Sequence, residues 1–234
     1  MISVVITGAG NGSRFGCDKL LKPIEKKPLI VRTVEQFNKV KKINEIVLVT
    51  QRDKIKKLKQ IFNKNKLKVT LVEGGKTRYI SAYNGIKHCR GEYVVIHDGA
   101  RPLTPTKIIN KVCDEVIKHH AVITAVEAYT SVKITKCTLS MNNPSNLFVE
   151  KNLKRSKTWL AQTPQAYKKD IIYAAYEKAI ATNSNGMDDS ELVGATGIKV
   201  KIIPGDTVNM KVTYPLDMII ARELYKASNG SANV

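Results

Sequence analysis

No stretch of this sequence approaches the ~18 consecutive apolar residues that a membrane span requires. The opening run, Met1-Ile2-Ser3-Val4-Val5-Ile6-Thr7, lacks a basic flank and is too short for a secretory signal, which predicts a cytoplasmic chain without a membrane partner. Cysteine is sparse. Cys17, Cys89, Cys113 and Cys137 lie far apart, with no C-x-x-C pair and no histidine at zinc spacing, which argues against a disulfide framework or a structural metal. Aromatic residues are only 6%, and acidic residues are scarce, 20 against 39 lysines and arginines, for a formal charge of +19. Such a balance attracts polyanions: nucleic acid, anionic lipid or phosphorylated small molecules. It also suits plain solvated helix surface, as the lysine run from Lys54 to Lys68 suggests. A basic nucleic-acid-binding protein stays open on charge alone. Few aromatics, dispersed cations and no helix-turn-helix or RNA-binding signature speak against it.

What is present reads as one globular domain. At 234 residues, 43% hydrophobic and 25% charged, the chain excludes wholesale disorder and collagen-like structure, and no linker or repeat divides it. Short β-branched runs alternate with amphipathic stretches. The pattern predicts strands over 3–7, 45–50, 68–73, 93–97, 121–128 and 199–203, with a short one near 208–212. It predicts helices over 29–40, 52–62, 77–88, 106–119, 169–181, 188–196 and 215–226. Strand–helix alternation argues for an α/β fold with a mostly parallel sheet. Regularity breaks over 129–157, a polar, turn-rich stretch (Asn142-Asn143-Pro144-Ser145-Asn146) that reads as a projecting hairpin arm, and residues 228–234 read as a fraying tail.

Three constellations could carry chemistry. Thr7-Gly8-Ala9-Gly10-Asn11-Gly12-Ser13-Arg14-Phe15 follows the first strand. Its alternate glycines let the backbone approach a ligand and turn N–H groups onto phosphate oxygens. No Gly-Lys-Ser/Thr follows, Ser13 stands at the third glycine of a dinucleotide fingerprint, and the second strand ends without a ribose-binding acid. Arg14 and Lys19 supply cations beside the turn, the complement a triphosphate requires. Glu73-Gly74-Gly75-Lys76-Thr77-Arg78-Tyr79-Ile80-Ser81 ends the third strand, where Gly75 could pass close to a base or sugar and Ser81 could point back at it. His97-Asp98-Gly99-Ala100-Arg101-Pro102 puts charged residues at the end of a buried strand. There they serve either a ligand or a structural Asp–Arg pair. Two further strings, Trp159-Leu160-Ala161-Gln162-Thr163-Pro164-Gln165 and Asn209-Met210-Lys211-Val212-Thr213, carry little by themselves.

Taken in order, these residues resemble the cytidylyltransferases that join CTP to an alditol phosphate, the 2-C-methyl-D-erythritol 4-phosphate cytidylyltransferase family above all. Ribitol-5-phosphate cytidylyltransferase is a close relative. The resemblance runs from Val4 to Leu224, with the His97–Pro102 and Gln162–Gln165 strings most specific. It implies a single Rossmann-like nucleotidyltransferase domain whose β-arm interlocks with a second subunit. Gly8, Ala9, Gly10, Gly12, Gly75 and Ser81 would contact CTP, and Arg14 and Lys19 would stabilise the transition state. Asp98, Arg101, Thr130, Arg155, Thr163 and Lys211 would surround the acceptor. Arg155 and Lys211 would orient its phosphate, and Thr130, Arg155 and Thr163 would complete the partner's site in a homodimer. The implied cofactor is Mg²⁺, held mainly by the triphosphate. The implied reaction makes CDP-methylerythritol for isoprenoid precursors, with CDP-ribitol for wall polymers as the alternative and an inactive nucleotide binder as another.

Some positions depart from the family pattern. Lys19-Leu20-Leu21 stands for Lys-Gln-aromatic, Ser13 for arginine or threonine, and Tyr129 for the aspartate before the arm threonine. Trp159 and the string Met187-Asp188-Asp189-Ser190 favour the methylerythritol branch.

Overall fold

The first strand, β1 (Ile2–Thr7), is buried on both faces, because each of its neighbours is also a core strand and helices cover both sides. In this computed structural model, which describes residues 1–10, 12–135, 148–182 and 188–230, β1 is followed by a small ribbon of β2 (Pro23–Ile24) and β3 (Lys27–Pro28). Then come α1 (Leu29–Asn38), β4 (Ile43–Thr50), α2 (Ile55–Lys64), β5 (Thr70–Glu73), α3 (Arg78–Lys87), β6 (Tyr93–Asp98), α4 (Thr106–His119) and β7 (Ala121–Glu127). The second half contains β8 (Lys133–Thr135), β9 (Val149–Asn152), β10 (Trp159–Lys168), α5 (Lys169–Ala181), α6 (Asp189–Gly194), β11 (Lys201–Pro204) and α7 (Pro215–Gly230).

Seven strands form one sheet in the order β11-β7-β10-β6-β1-β4-β5. All pairs are parallel except those of β10, which runs antiparallel between β6 and β7. Side chains alternate across the sheet. Val4 and Ile6 join Val34, Phe37, Leu58 and Ile109 under α1, α2 and α4, while Val5 joins Ile86, Ile172 and Tyr176 under α3 and α5. Each such fully buried side chain contributes about 1.5–3 kcal/mol of transfer free energy. Helix α3 lies close on the sheet at Gly85, where an added Cβ would sit 2.5 Å from Val5 Cγ1 and 2.7 Å from Val49 Cγ2. The exposed lysines of α2, Lys56, Lys57, Lys59 and Lys64, occupy its solvent face, as the lysine run suggests.

The structure departs from the sequence pattern in three places. Residues 159–168 are a strand in mid-sheet, although Gln162, Thr163 and Gln165 are polar and Pro164 lacks an N–H. The ladder to β7 shifts between Gln162 and Gln165, so the proline falls in the irregularity, where no ladder donor is required. Residues 208–212 form no strand; they are an irregular segment held by side chains. Helix α7 runs to Gly230, past the expected start of a fraying tail, and residues 231–234 lie outside the described residues.

The arm leaves the sheet through a closed neck. Glu127 of β7 pairs with Trp159 of β10, and the Ala128 N–H donates to the Thr158 carbonyl at 3.0 Å. Beyond it, β8 and β9 pair only with each other, and every residue of β9 is exposed. The Asn142–Asn146 turn and Cys137 lie outside the described residues.

Candidate active site

The parallel strands β1, β4, β5 and β6 end level, with Thr7 opposite both Val49 and Asp98, and Thr50 opposite Glu73. A cleft of about 400 Å³ opens above these carboxyl ends. Gly8, Ala9, Gly10, Gly12, Arg14, Lys19, Gly75, Ser81, Asp98 and Lys211, ten residues singled out from sequence, all line it.

The glycine turn starts where the Gly8 N–H donates to the Val49 carbonyl at 2.7 Å, and it is completed at Gly12, whose φ of 67° lies in the left-handed region. Gly12 leads into the helical turn Ser13–Phe15, which carries Arg14. A second turn, Lys19–Leu21, is capped by Asp18, whose Oδ1 accepts from the Leu20 N–H at 3.1 Å while Lys54 Nζ lies 2.8 Å from its Oδ2. Asp18 thereby fixes the turn on which Lys19 stands. The Gly75 N–H donates to Ser81 Oγ at 3.0 Å, and Ser81 Oγ donates to the Thr77 carbonyl at 2.8 Å. Ser81 thus holds the Gly74-Gly75 turn folded against the cleft. Gly74 approaches the first turn so closely that a Cβ there would lie 2.5 Å from Ala9 Cβ.

Electrostatically the cleft is a crowd of cations around one carboxylate. Asp98 Oδ2 receives Arg101 Nε at 3.1 Å and lies 3.1 Å from Lys211 Nζ; Asp98 Oδ1 is 3.7 Å from Arg78 Nε. Burial alone would raise the Asp98 pKa, but Lys211, Arg78 and Arg101 overcome it and hold the carboxyl well below its usual range. Burial, with Lys211 and Arg14 close by, lowers the Lys19 pKa. A polyanionic ligand would relieve this repulsion.

Two predicted acceptor residues sit elsewhere than expected. Arg101 lies behind Asp98, with Nη1 donating to the Asn209 carbonyl at 2.7 Å, so it clamps Asp98 from beneath. Thr163 is 4% exposed, accepts the Asp98 N–H at 3.0 Å and contacts His97 Nδ1 at 3.0 Å. In this chain Thr163 thus stands on the floor beneath Asp98. Thr130 and Arg155, at the base of the arm, are exposed and do not line this cleft.

The quoted strings contain Arg78, His97 and Asp189 without assigning their supporting roles, and Tyr176 stands in none of them. Arg78 is gripped by both oxygens of Asp189 at 2.9 and 3.1 Å, and Tyr176 Oη donates to the same carboxylate at 2.5 Å. The Asp189 charge outweighs burial and raises the Arg78 pKa further. His97 is wholly buried, and that burial pulls its pKa down to about 3, so it is neutral at physiological pH. These partners lie up to 111 positions apart in sequence, so no local pattern announces them.

Known proteins match nearly the whole chain. The family model described as IspD, 2-C-methyl-D-erythritol 4-phosphate cytidylyltransferase, matches residues 2–226. The 2-C-methyl-D-erythritol 4-phosphate cytidylyltransferase of Geobacillus thermodenitrificans is 35% identical over 225 residues, covering 94% of this chain and 95% of that protein. The enzyme of the same description from Clostridioides difficile is 34% identical over 232 residues, 96% and 93% of the two chains. Among solved structures, the 4-diphosphocytidyl-2C-methyl-D-erythritol synthase of Anaerococcus prevotii superposes with a TM-score of 0.83 at 31% identity over 97% of this chain and 96% of that one.

Proposed function

Since the chain belongs to the 2-C-methyl-D-erythritol 4-phosphate cytidylyltransferase family, we propose that its cleft binds CTP on the glycine turn and sets an alditol phosphate against the nucleotide's α-phosphorus. The activity is cytidylyl transfer: an acceptor phosphate oxygen attacks, the new P–O bond forms, and diphosphate leaves. The acceptor is 2-C-methyl-D-erythritol 4-phosphate; the relatives favour it over ribitol 5-phosphate. One observation carries the reading, the convergence of the first glycine turn, Arg14, Lys19, Asp98 and Lys211 on a single cleft.

The nucleophile is already ionised at neutral pH, so no strong base is needed. The task is to bring two anions into line and neutralise them. Main-chain N–H groups from Gly8 to Gly12 would take phosphate oxygens, with Gly75 and Ser81 shaping the nucleoside side of the cleft. Arg14 and Lys19 would meet the charge that develops at the α-phosphorus. Lys211 would hold the acceptor phosphate and Asp98 an acceptor hydroxyl, while Arg101 and Thr163 act through Asp98. Thr130 and Arg155 on the arm would come from a second copy of the chain, making a homodimer the working unit.

Mg²⁺ suits this donor set. Among the described residues no three His, Cys, Asp or Glu side chains converge, and Asp98 is already engaged by three cations. A metal arriving on the triphosphate would take phosphate oxygens and water, with Asp18 and Asp98 near enough in the cleft to order that water. Bound there it would neutralise phosphate charge. No described helix is long and apolar enough to cross a membrane.

The test is direct. Purified protein with CTP, Mg²⁺ and 2-C-methyl-D-erythritol 4-phosphate is expected to release diphosphate and form the CDP-alditol, and to do so faster than with ribitol 5-phosphate. Faster turnover of the ribitol ester would reverse the acceptor assignment. Turnover of neither would remove the function.

A further inference from the structure

The segment that carries Lys211 has no sheet to stand on. β11 ends at Pro204, the Gly205 N–H donates to the Ala125 carbonyl at 2.7 Å, Asp206 exchanges main-chain bonds with the Gln162 side chain at 3.3 and 2.9 Å, and beyond Lys211 the Val212 N–H donates to the Ala100 carbonyl at 2.9 Å. Between them sits Asn209, 0% exposed. Its Oδ1 accepts from Thr104 Oγ1 at 2.8 Å, and its Nδ2 donates to the Thr163 carbonyl at 2.8 Å and to Gln162 Oε1 at 3.2 Å. Its own carbonyl accepts from Arg101 Nη1 at 2.7 Å. One side chain thus ties the segment to β10 and to the loop after β6, and its amide hydrogens and oxygen are all engaged.

We propose that Asn209 is a positioning residue for acceptor binding: by pinning the chain two residues ahead of Lys211, it sets that ammonium at the mouth of Asp98. The proposal rests on the reading of Lys211 given above. A lysine stem is flexible and its charge has no directional fork. Attraction to Asp98, whose Oδ2 is 3.1 Å away, does not fix where the stem begins. Asn209 does so from the N-terminal side, as the Val212 N–H on the Ala100 carbonyl does from the other, and Asn209 shares Thr163 and Arg101 with the floor that holds Asp98. The acceptor contact assigned to Lys211 therefore depends on this buried amide, and an in-line approach is sensitive to displacements of about 1 Å. Among the described residues, the nucleotide turns at 8–12 and Gly74–Ser81 share no hydrogen bond with it.

The experiment compares Asn209→Ala, Lys211→Ala, the double variant and Thr104→Val, reading acceptor KM and kcat, the CTP dissociation constant by calorimetry, and Tm. Asn209→Ala is expected to raise the acceptor KM ~10-fold or more and leave CTP binding within about twofold, the mark of a local placement effect. Added to Lys211→Ala it should cost less than about a further twofold, because its effect passes through that lysine. Thr104→Val, which removes one of the ties, should raise the acceptor KM ~3-fold and keeps the test open if Asn209→Ala does not fold. A general structural role would instead weaken CTP binding by the same factor as acceptor binding, or multiply in full with Lys211→Ala; either result overturns the inference, as does an unchanged acceptor KM in Thr104→Val. An inert Lys211→Ala would remove the underlying reading of Lys211 and the inference with it.

Discussion

At the scale of single residues, the cleft works by confining charge. Arg14→Ala and Lys19→Ala are each expected to lower kcat/KM by ~10²–10³, the size of losing one preorganised charge contact, with Tm nearly unchanged. His97 makes a separate prediction. Unfolded histidine takes a proton near pH 6.5, whereas His97 does so only near 3. Between these values the unfolded chain binds the extra proton, so this group makes stability fall as pH drops below about 6.5, by roughly 1.4 kcal/mol per pH unit, and leaves it flat above. Urea midpoints at pH 7, 6 and 5 should follow that slope, and His97→Asn should flatten it by the same amount even though it lowers stability throughout. Arg14, Lys19 and Asp98 were legible in the sequence because each stands within a few residues of a glycine turn or a strand end. The roles of Asn209, Asp189 and Tyr176 were not, because their work is done on partners that only the fold brings near.

At the scale of elements, the parallel strands announced themselves as unbroken apolar runs, and their helices by 3.6-residue spacing. β10 did not. A strand buried at its carboxyl-terminal half by Gln162, Thr163, Gln165 and a proline contradicts both hydrophobic pattern and strand propensity. It is tolerated because each amide finds a partner: Gln162 Nε2 donates to the Asp206 carbonyl at 2.9 Å and Gln165 Nε2 to Asp188 Oδ2 at 3.1 Å. Residues 208–212 misled in the opposite sense, since Val208, Met210 and Val212 alternate like a strand but face a satellite cluster under α7. The contact of α3 with β1 gives a test of packing. Gly85→Ala should gain helix propensity of up to about 1 kcal/mol yet lose ~1–3 kcal/mol to overlap with Val5 and Val49, for a net fall in the urea midpoint. Gly74→Ala, by contrast, presses on Ala9 and should weaken CTP binding with a small change in Tm.

At the scale of the whole molecule, the arm presents apolar side chains that this chain does not cover: Tyr129 is 74% exposed and Phe148 69%. Isolated apolar side chains are common on surfaces, but these stand with Ile134 and Val149 on one hairpin. If arms exchange between two copies, a cleft draws Lys19 from one chain and Arg155 from the other. Mixing Lys19→Ala with Arg155→Ala protein, each inactive alone, should then restore about a quarter of the wild-type rate once subunits exchange, since half the dimers are hybrids with one intact site of two. Failure to complement, with sedimentation showing a monomer, would return every catalytic group to one chain.

The zipped neck at Glu127 and Trp159 has its own consequence for how such a molecule can change over generations. The chain leaves and rejoins the sheet at two feet that touch, Ala128 and Thr158, so a change in the length of what lies between them costs the body only ring-closure entropy, about 0.6 kcal/mol per doubling. Thr130 and Arg155 stand inside that stretch, so a lineage that changed its length would still have to carry these two side chains wherever the proposed reaction needs them.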